Sequence, residues 1–137
     1  MAKRSFWAWG NEADEPTAEQ MKTAAGELAA RYNVRLNPVT PPNASGLSLR
    51  KPRITPPSTL ADICVSDDHD RAVHTYGRSL RDRIRAFNFD FPNPPDVVAR
   101  PRSEQEVEAL LEWVEALLQR VDALQRVEAL LLSLIHI

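Results

Sequence analysis

The chain has 137 residues, room for one small domain of roughly 100–200 residues and not for two. Seventeen Lys+Arg against 19 Asp+Glu leave a net charge of −2, which argues against a nucleic-acid-binding protein or an acidic tail. A single cysteine, Cys64, excludes an internal disulfide and a Cys-rich zinc site, and fits a reducing compartment.

Residues 1–15 are mostly polar around the apolar run Phe6, Trp7, Ala8 and Trp9. This arm has no apolar h-region and does not read as a signal peptide. Its aromatics are costly to leave in water, so it is expected to pack onto something. Pro16-Thr17 opens a helix, with Thr17 as N-cap and Gln20 at the capping-box position. Met21, Ala24/Ala25, Leu28 and Tyr32 give that helix one apolar stripe. From Asn37 to Pro57 six prolines exclude helix and central strand. An extended linker, or a segment wrapped on a partner surface, is expected there, with Arg50, Lys51 and Arg53 solvated.

Ser58 reads as the N-cap of a short helix through Ala61 and Cys64. Ser66-Asp67-Asp68 caps a longer helix of about 20 residues, with Val73, Tyr76, Leu80, Ile84 and Phe87 as its apolar stripe. The prolines after Asn88 forbid continuation. Asp96 to Pro101 reads as a short strand, and Ser103 with Glu106 as a full capping box opening the last helix. That is the first half of a β-α-β unit, and no second strand follows. Instead Val107-Glu108-Ala109-Leu110-Leu111 repeats at Val114 to Leu118, with weaker echoes from Val121 and Val127. Seven-residue steps suggest a coiled-coil seam through Leu110, Leu117 and Leu124. The longest uncharged apolar stretch, Ala129 to Ile137, is nine residues where a membrane span needs about 20. A soluble, cytoplasmic protein without stable membrane insertion is expected.

The reading is therefore mainly α: three to four helices, a long Pro-rich linker, and at most one or two short strands. Its parts are an arm, helix and linker over 1–57, a helical segment over 58–95, and a strand and helix over 96–137.

Candidate functional residues have plain alternatives. His69 stands among Asp67, Asp68 and Asp70, but neighbouring helix positions point in different directions, and an acidic cap accounts for them better than a metal. His74 lies beside the apolar stripe and reads as structural. Arg78, Arg81, Arg83 and Arg85 with Ser79 suit a phosphate. A solvated helix face, with Asp82 bonding Arg78 or Arg85, accounts for them better. No basic excess or aromatic interleaving supports nucleic acid. Cys64 reads as a small buried hydrophobe and Trp113 as core.

His74-Thr75-Tyr76-Gly77-Arg78-Ser79-Leu80-Arg81-Asp82, Pro95-Asp96-Val97-Val98-Ala99-Arg100-Pro101, Glu106-Val107 and the Phe6-Trp7-Ala8-Trp9-Gly10 start together carry a resemblance. The segment resembles the N-terminal part of FAD-linked oxidases of the vanillyl-alcohol-oxidase type, in the alkyldihydroxyacetonephosphate synthase-like branch. The resemblance covers roughly residues 5–113. Leu80 departs from it, standing where an aromatic is expected. It implies a parent flavoprotein with an α+β flavin domain, here incomplete. The parent would be an FAD-dependent oxidoreductase or alkyl-transferase of ether-lipid type, acting on a small-molecule substrate. The family's Gly-Gly-Gly-Thr-Ser pyrophosphate loop is missing, since the 60 residues after Gly77 contain no glycine. The substrate domain is missing as well. No catalytic, cofactor-binding or metal residue is therefore assigned. The chain is expected to bind no FAD and to be inactive, an N-terminal fragment whose tail from Leu131 to Ile137, His136 included, is not native. The alternative is a small helical interaction protein that dimerises through helix 103–132.

Overall fold

The computed structural model describes residues 2–135, and of 127–135 the backbone alone. The expectations for His136 and for the tail side chains lie outside the described residues. The described residues hold four α-helices and one two-stranded sheet: α1 (Ala18–Tyr32), β1 (Cys64–Val65), α2 (Asp68–Val73), α3 (Leu80–Phe87), β2 (Val98–Ala99) and α4 (Glu104–Ile135). The mainly α expectation holds. Short 3-10 turns at Glu12–Asp14, Ala44–Gly46 and Ser58–Leu60 complete the elements. β2 pairs antiparallel with β1, so the expected strand has a partner after all. The Arg100 N–H extends the ladder to the Ile63 carbonyl at 2.8 Å.

The chain forms two compact units, Met1–Thr55 with Val65–Val98, and Pro56–Cys64 with Ala99–Ile137. The core of the first is Phe6, Trp7, Ala8, Ala72, Val73 and Ala86, with Leu47, Leu49, Phe87 and Phe91 packed against it. The aromatic arm is thus the centre of this unit. It closes on itself as a loop, Ser5 N–H meeting the Gly10 carbonyl at 3.2 Å and Arg4 bridging Asn11. Gly10 sits at φ +98°, a conformation that side chains rarely tolerate. Ser5 is fully buried, and its hydroxyl accepts from Trp7 N at 3.3 Å and Ala8 N at 2.8 Å. Phe6 stacks on Phe89 with centroids 5.7 Å apart, and Trp7 meets Phe87 edge-on at 5.2 Å.

The Pro-rich segment is wrapped, but on its own unit. Leu47 and Leu49 lie on the core, and Arg50 and Arg53 both pair with Asp96, Arg53 with most of its side chain still in water as expected. Arg71 crosses the same region with none of its surface exposed. Its guanidinium donates to the Arg50 carbonyl at 2.6 Å, the Pro95 carbonyl at 2.7 Å and Asp68 at 2.9 Å. Asp68 in turn accepts from Leu49 N at 3.1 Å. Every donor is satisfied inside one segment crossing, which is what makes a buried cation tolerable.

Two helical expectations are corrected. The 20-residue helix is two helices, broken over His74 to Ser79. Thr75 Oγ1 donates back to the Arg71 carbonyl at 2.8 Å, and Ser79 starts α3 with a complete capping box. Asp82 is half of that box, donors Ser79 N and Oγ lying 3.2 and 2.8 Å away, so it does not bond Arg78 or Arg85. The break also rotates the stripe. Arg83 and Ala86 are buried in α3, while Leu80 and Ile84 are 64% and 55% exposed. Ser58 opens a single 3-10 turn capped by Pro57, not a short helix to Cys64.

α1 begins as expected, with reciprocal Thr17–Gln20 bonds of 2.8 and 3.2 Å, and ends at Asn33 in the left-handed conformation. None of its residues is buried.

In the second unit Leu60 and Ile63 are buried, and the Ser58–Leu60 turn packs on α4. Ser103 accepts from Glu106 N at 3.3 Å, but the Glu106 carboxylate reaches back to Arg102 N, so the expected box is shifted by one residue. Trp113 is half-buried.

Candidate functional site

The candidate site grows from Arg83. Its place on the inner face of α3 follows from the cap at Ser79, which sets the phase of the helix. Its guanidinium donates to the Gly77 carbonyl at 2.6 Å and to the Ala8 carbonyl at 3.2 Å. One cation therefore ties the helix break to the aromatic arm. Trp9 adds a second tie, its indole N–H donating to the Arg78 carbonyl at 3.1 Å. Burial, helped by Arg78, pushes Arg83 down from the ordinary guanidinium value, and Asp82 offsets part of that.

Beside Arg83 opens a pocket of about 360 Å³, lined by Trp7, Ala8, Trp9, Asp14, Pro16, Ile84 and Phe87. That volume lies within the range of about 300–1,000 Å³ usual for small-molecule sites. The wall is mostly aromatic and aliphatic. Asp14 contributes a carboxylate that already accepts from Asn11 N and Nδ2 at 3.3 and 3.1 Å. Trp7 Nε1 and Arg83 Nε are buried and meet no acceptor.

Among the arginines of the phosphate reading, the structure gathers no cluster. Arg83 is buried, Arg85 faces Asp90 at 3.7 Å, and Arg81 is exposed on α3. His69 Nε2 stands 2.9 Å from Glu12 Oε1 but off the line of a hydrogen bond. Lys3 reaches the same Glu12 oxygen at 2.9 Å. His74 is exposed, with Nδ1 2.8 Å from the Asp70 carbonyl. Among the described residues no group of three or more His, Cys, Asp or Glu is placed to hold a metal. Cys64 is half-buried, and desolvation pushes its thiol up, away from the reactive thiolate.

The described glycines do not make a dinucleotide cradle. A Cβ on Gly77 would stand 3.1 Å from an Asp82 carboxylate oxygen, and one on Gly46 would stand 3.1 Å from the Phe89 ring. Gly26 lies inside α1, and Gly10 lies 3.4 Å from an Asp14 oxygen on the same measure. The first turn of α4 carries Glu104 and Glu106, which repel a phosphate.

Comparison with known proteins finds one stretch. Over 53 residues the chain is 42% identical to an alkyldihydroxyacetonephosphate synthase of Dictyostelium discoideum. This supports a distant relation to that family. The matched stretch is 39% of this chain and 9% of the synthase, so the chain spans only a small part of that relative's length. No family model matches. No solved structure matches.

The pocket was not legible in the sequence. The sequence marks Trp7 and Trp9 for packing and Arg83 for phosphate. Nothing in their spacing joins positions 7 and 83. The one available signal was Ser79-x-x-Asp82, which read as a capping box turns Arg83 inward.

Proposed function

We propose that this chain is the N-terminal lead-in of a flavoenzyme of the alkyldihydroxyacetonephosphate synthase-like kind, and that alone it neither holds FAD nor catalyses. The observation that carries the reading is the 53-residue stretch at 42% identity. The glycine surroundings agree with it, since they offer a phosphate no cradle. The whole enzyme would use FAD as its redox cofactor and take a phosphorylated lipid precursor or a hydroxy acid as substrate. It would work in the cytoplasm. The lead-in would serve as a packing platform, its aromatic arm and Arg83 already ordered before the flavin domain follows.

The purified chain, mixed with excess FAD and desalted, is expected to come out colourless. A stoichiometric flavin spectrum with maxima near the visible blue, retained through desalting, overturns this reading.

A second reading has its own observation. On α4 Val107, Leu111, Val114, Leu118 and Val121 are all exposed and follow each other by steps of four and three. That is the seam of a coiled coil. It is not the Leu110, Leu117, Leu124 seam of the sequence, because Leu110 and Leu117 are half-buried. In this reading the chain is a small interaction protein that self-associates through α4.

A further inference from the structure

The first part of the Pro-rich segment stands off the unit that its later part wraps. There Arg35-Leu36-Asn37-Pro38-Val39-Thr40-Pro41-Pro42 sets an arginine and two prolines at steps of three. Pro38, Pro41 and Pro42 hold their own φ near −65° and keep Asn37 and Thr40 out of the helical region. Extended backbone of that kind is a polyproline II helix, which repeats every three residues. No helix, strand or turn interrupts residues 34–43. Three residues per turn put Arg35, Pro38 and Pro41 along one edge and Leu36, Val39 and Pro42 along the next. Asn37 and Thr40 take the third, so two adjacent edges are largely apolar and one is polar. Residues 34–40 are all exposed, Leu36 by 43% and Val39 by 64%, before the half-buried Pro41 and Pro42. Among the described residues, no hydrogen bond involves residues 35–42. Prolines rather than contacts set the shape of the segment, so docking it loses little chain entropy.

Arg35 sets the charge of the partner. No acid stands between Glu27 and Asp62. Arg50 and Arg53 both meet Asp96, whereas Arg35 meets no acid among the described residues. A free guanidinium one turn before the prolines calls for a carboxylate at one end of an apolar groove. Aromatic ridges suit the groove itself, because proline rings and aliphatic side chains pack on their flat faces.

We propose that residues 35–42 dock into a protein domain of the SH3 type, whose aromatic ridges take Pro38 and Pro41 and whose acid takes Arg35. The proposal does not depend on the flavin reading.

The test titrates an array of purified SH3 domains, each with an acid beside its groove, into the whole chain labelled with ¹⁵N. At least one domain is expected to move the amide signals of Leu36, Asn37, Val39 and Thr40 saturably. Arg35→Glu and Pro38→Ala alter exposed residues that make no hydrogen bond, so the fold survives. Each is expected to weaken that binding about tenfold. Lys51→Glu reverses an exposed cation outside the pattern and is expected to leave the binding unchanged. No movement with any domain of the array overturns the proposal. So does binding that survives Arg35→Glu and Pro38→Ala, or that Lys51→Glu weakens equally. If the same signals move on concentrating the chain alone, the segment belongs to a second copy, and the proposal falls.

Discussion

Asp96 holds two arginines with one carboxylate. Its two oxygens take the Arg50 guanidinium, the Arg53 backbone N–H at 3.1 Å, and the Arg53 side chain at 3.1 and 2.9 Å. The hydrogen bond from Arg50 holds its carboxyl far below the usual carboxylate range; desolvation opposes this, and the Arg53 bonds reinforce it. A depressed folded value means that the linkage stabilises the fold at neutral pH. The contribution is present in full above the unfolded value of about 3.9 and fades as pH falls below it. Asp96→Asn should lower the urea midpoint at pH 7 by the equivalent of ~2 kcal/mol. It should also flatten the loss of stability between about pH 4 and pH 2, read from urea melts at each pH. An acid limb as steep as that of the unaltered chain would show that other carboxylates carry it. Arg50 and Arg53 looked solvated in the sequence because nothing local pairs them. Their partner lies more than 40 positions away, and sequence spacing carries no record of such a pairing.

At the scale of elements, local chemistry was legible and packing was not. The Thr17–Gln20 box is legible because both halves sit within one turn. The Ser79–Asp82 box has the same form, but in the sequence an apolar stripe runs through it and masks it. That stripe holds at Val73 and Phe87 and fails between them: Leu80 and Ile84 face solvent, and a charged residue, Arg83, faces in. Periodicity counts apolar residues and so cannot recognise a buried arginine paid for by carbonyls. The strand at Asp96 to Pro101 was found, while its partner Cys64–Val65 was hidden in an apparent helix. The two caps predict a contrast. Ser79→Ala should cost about 1 kcal/mol of global stability, since α3 is welded to the core. Thr17→Ala should reduce helical circular dichroism and speed amide exchange within α1 alone, because no residue of α1 is buried. Equal global losses in a urea melt would overturn the contrast.

At the scale of the whole molecule, the proposed seam on α4 makes a prediction about behaviour in solution. Apolar patches of this kind mark association surfaces. Sedimentation should show mass rising with concentration, and Leu118→Glu should return the chain to a monomer. If Leu118→Glu sediments as the unaltered chain does, the seam is idle. The helix itself was legible from its capping serine and its repeats. Which face would stay free was not, because that depends on the Ser58–Leu60 turn, which covers part of α4 from more than 40 positions upstream.

The looped arm before α1 and the wrapped segment after it are both anchored in the same core, through Phe6 and Trp7 on one side and Leu47 and Leu49 on the other. Everything between them is an excursion that leaves the core and returns, and residues 31–40 are exposed throughout. A cut in this excursion severs the chain without separating its halves. Trypsin should nick after Arg31 or Arg35, and the two pieces should then co-elute under native conditions and part only in denaturant. The unit would tolerate a foreign domain spliced at the same place, or a break that leaves its two ends free to be joined elsewhere.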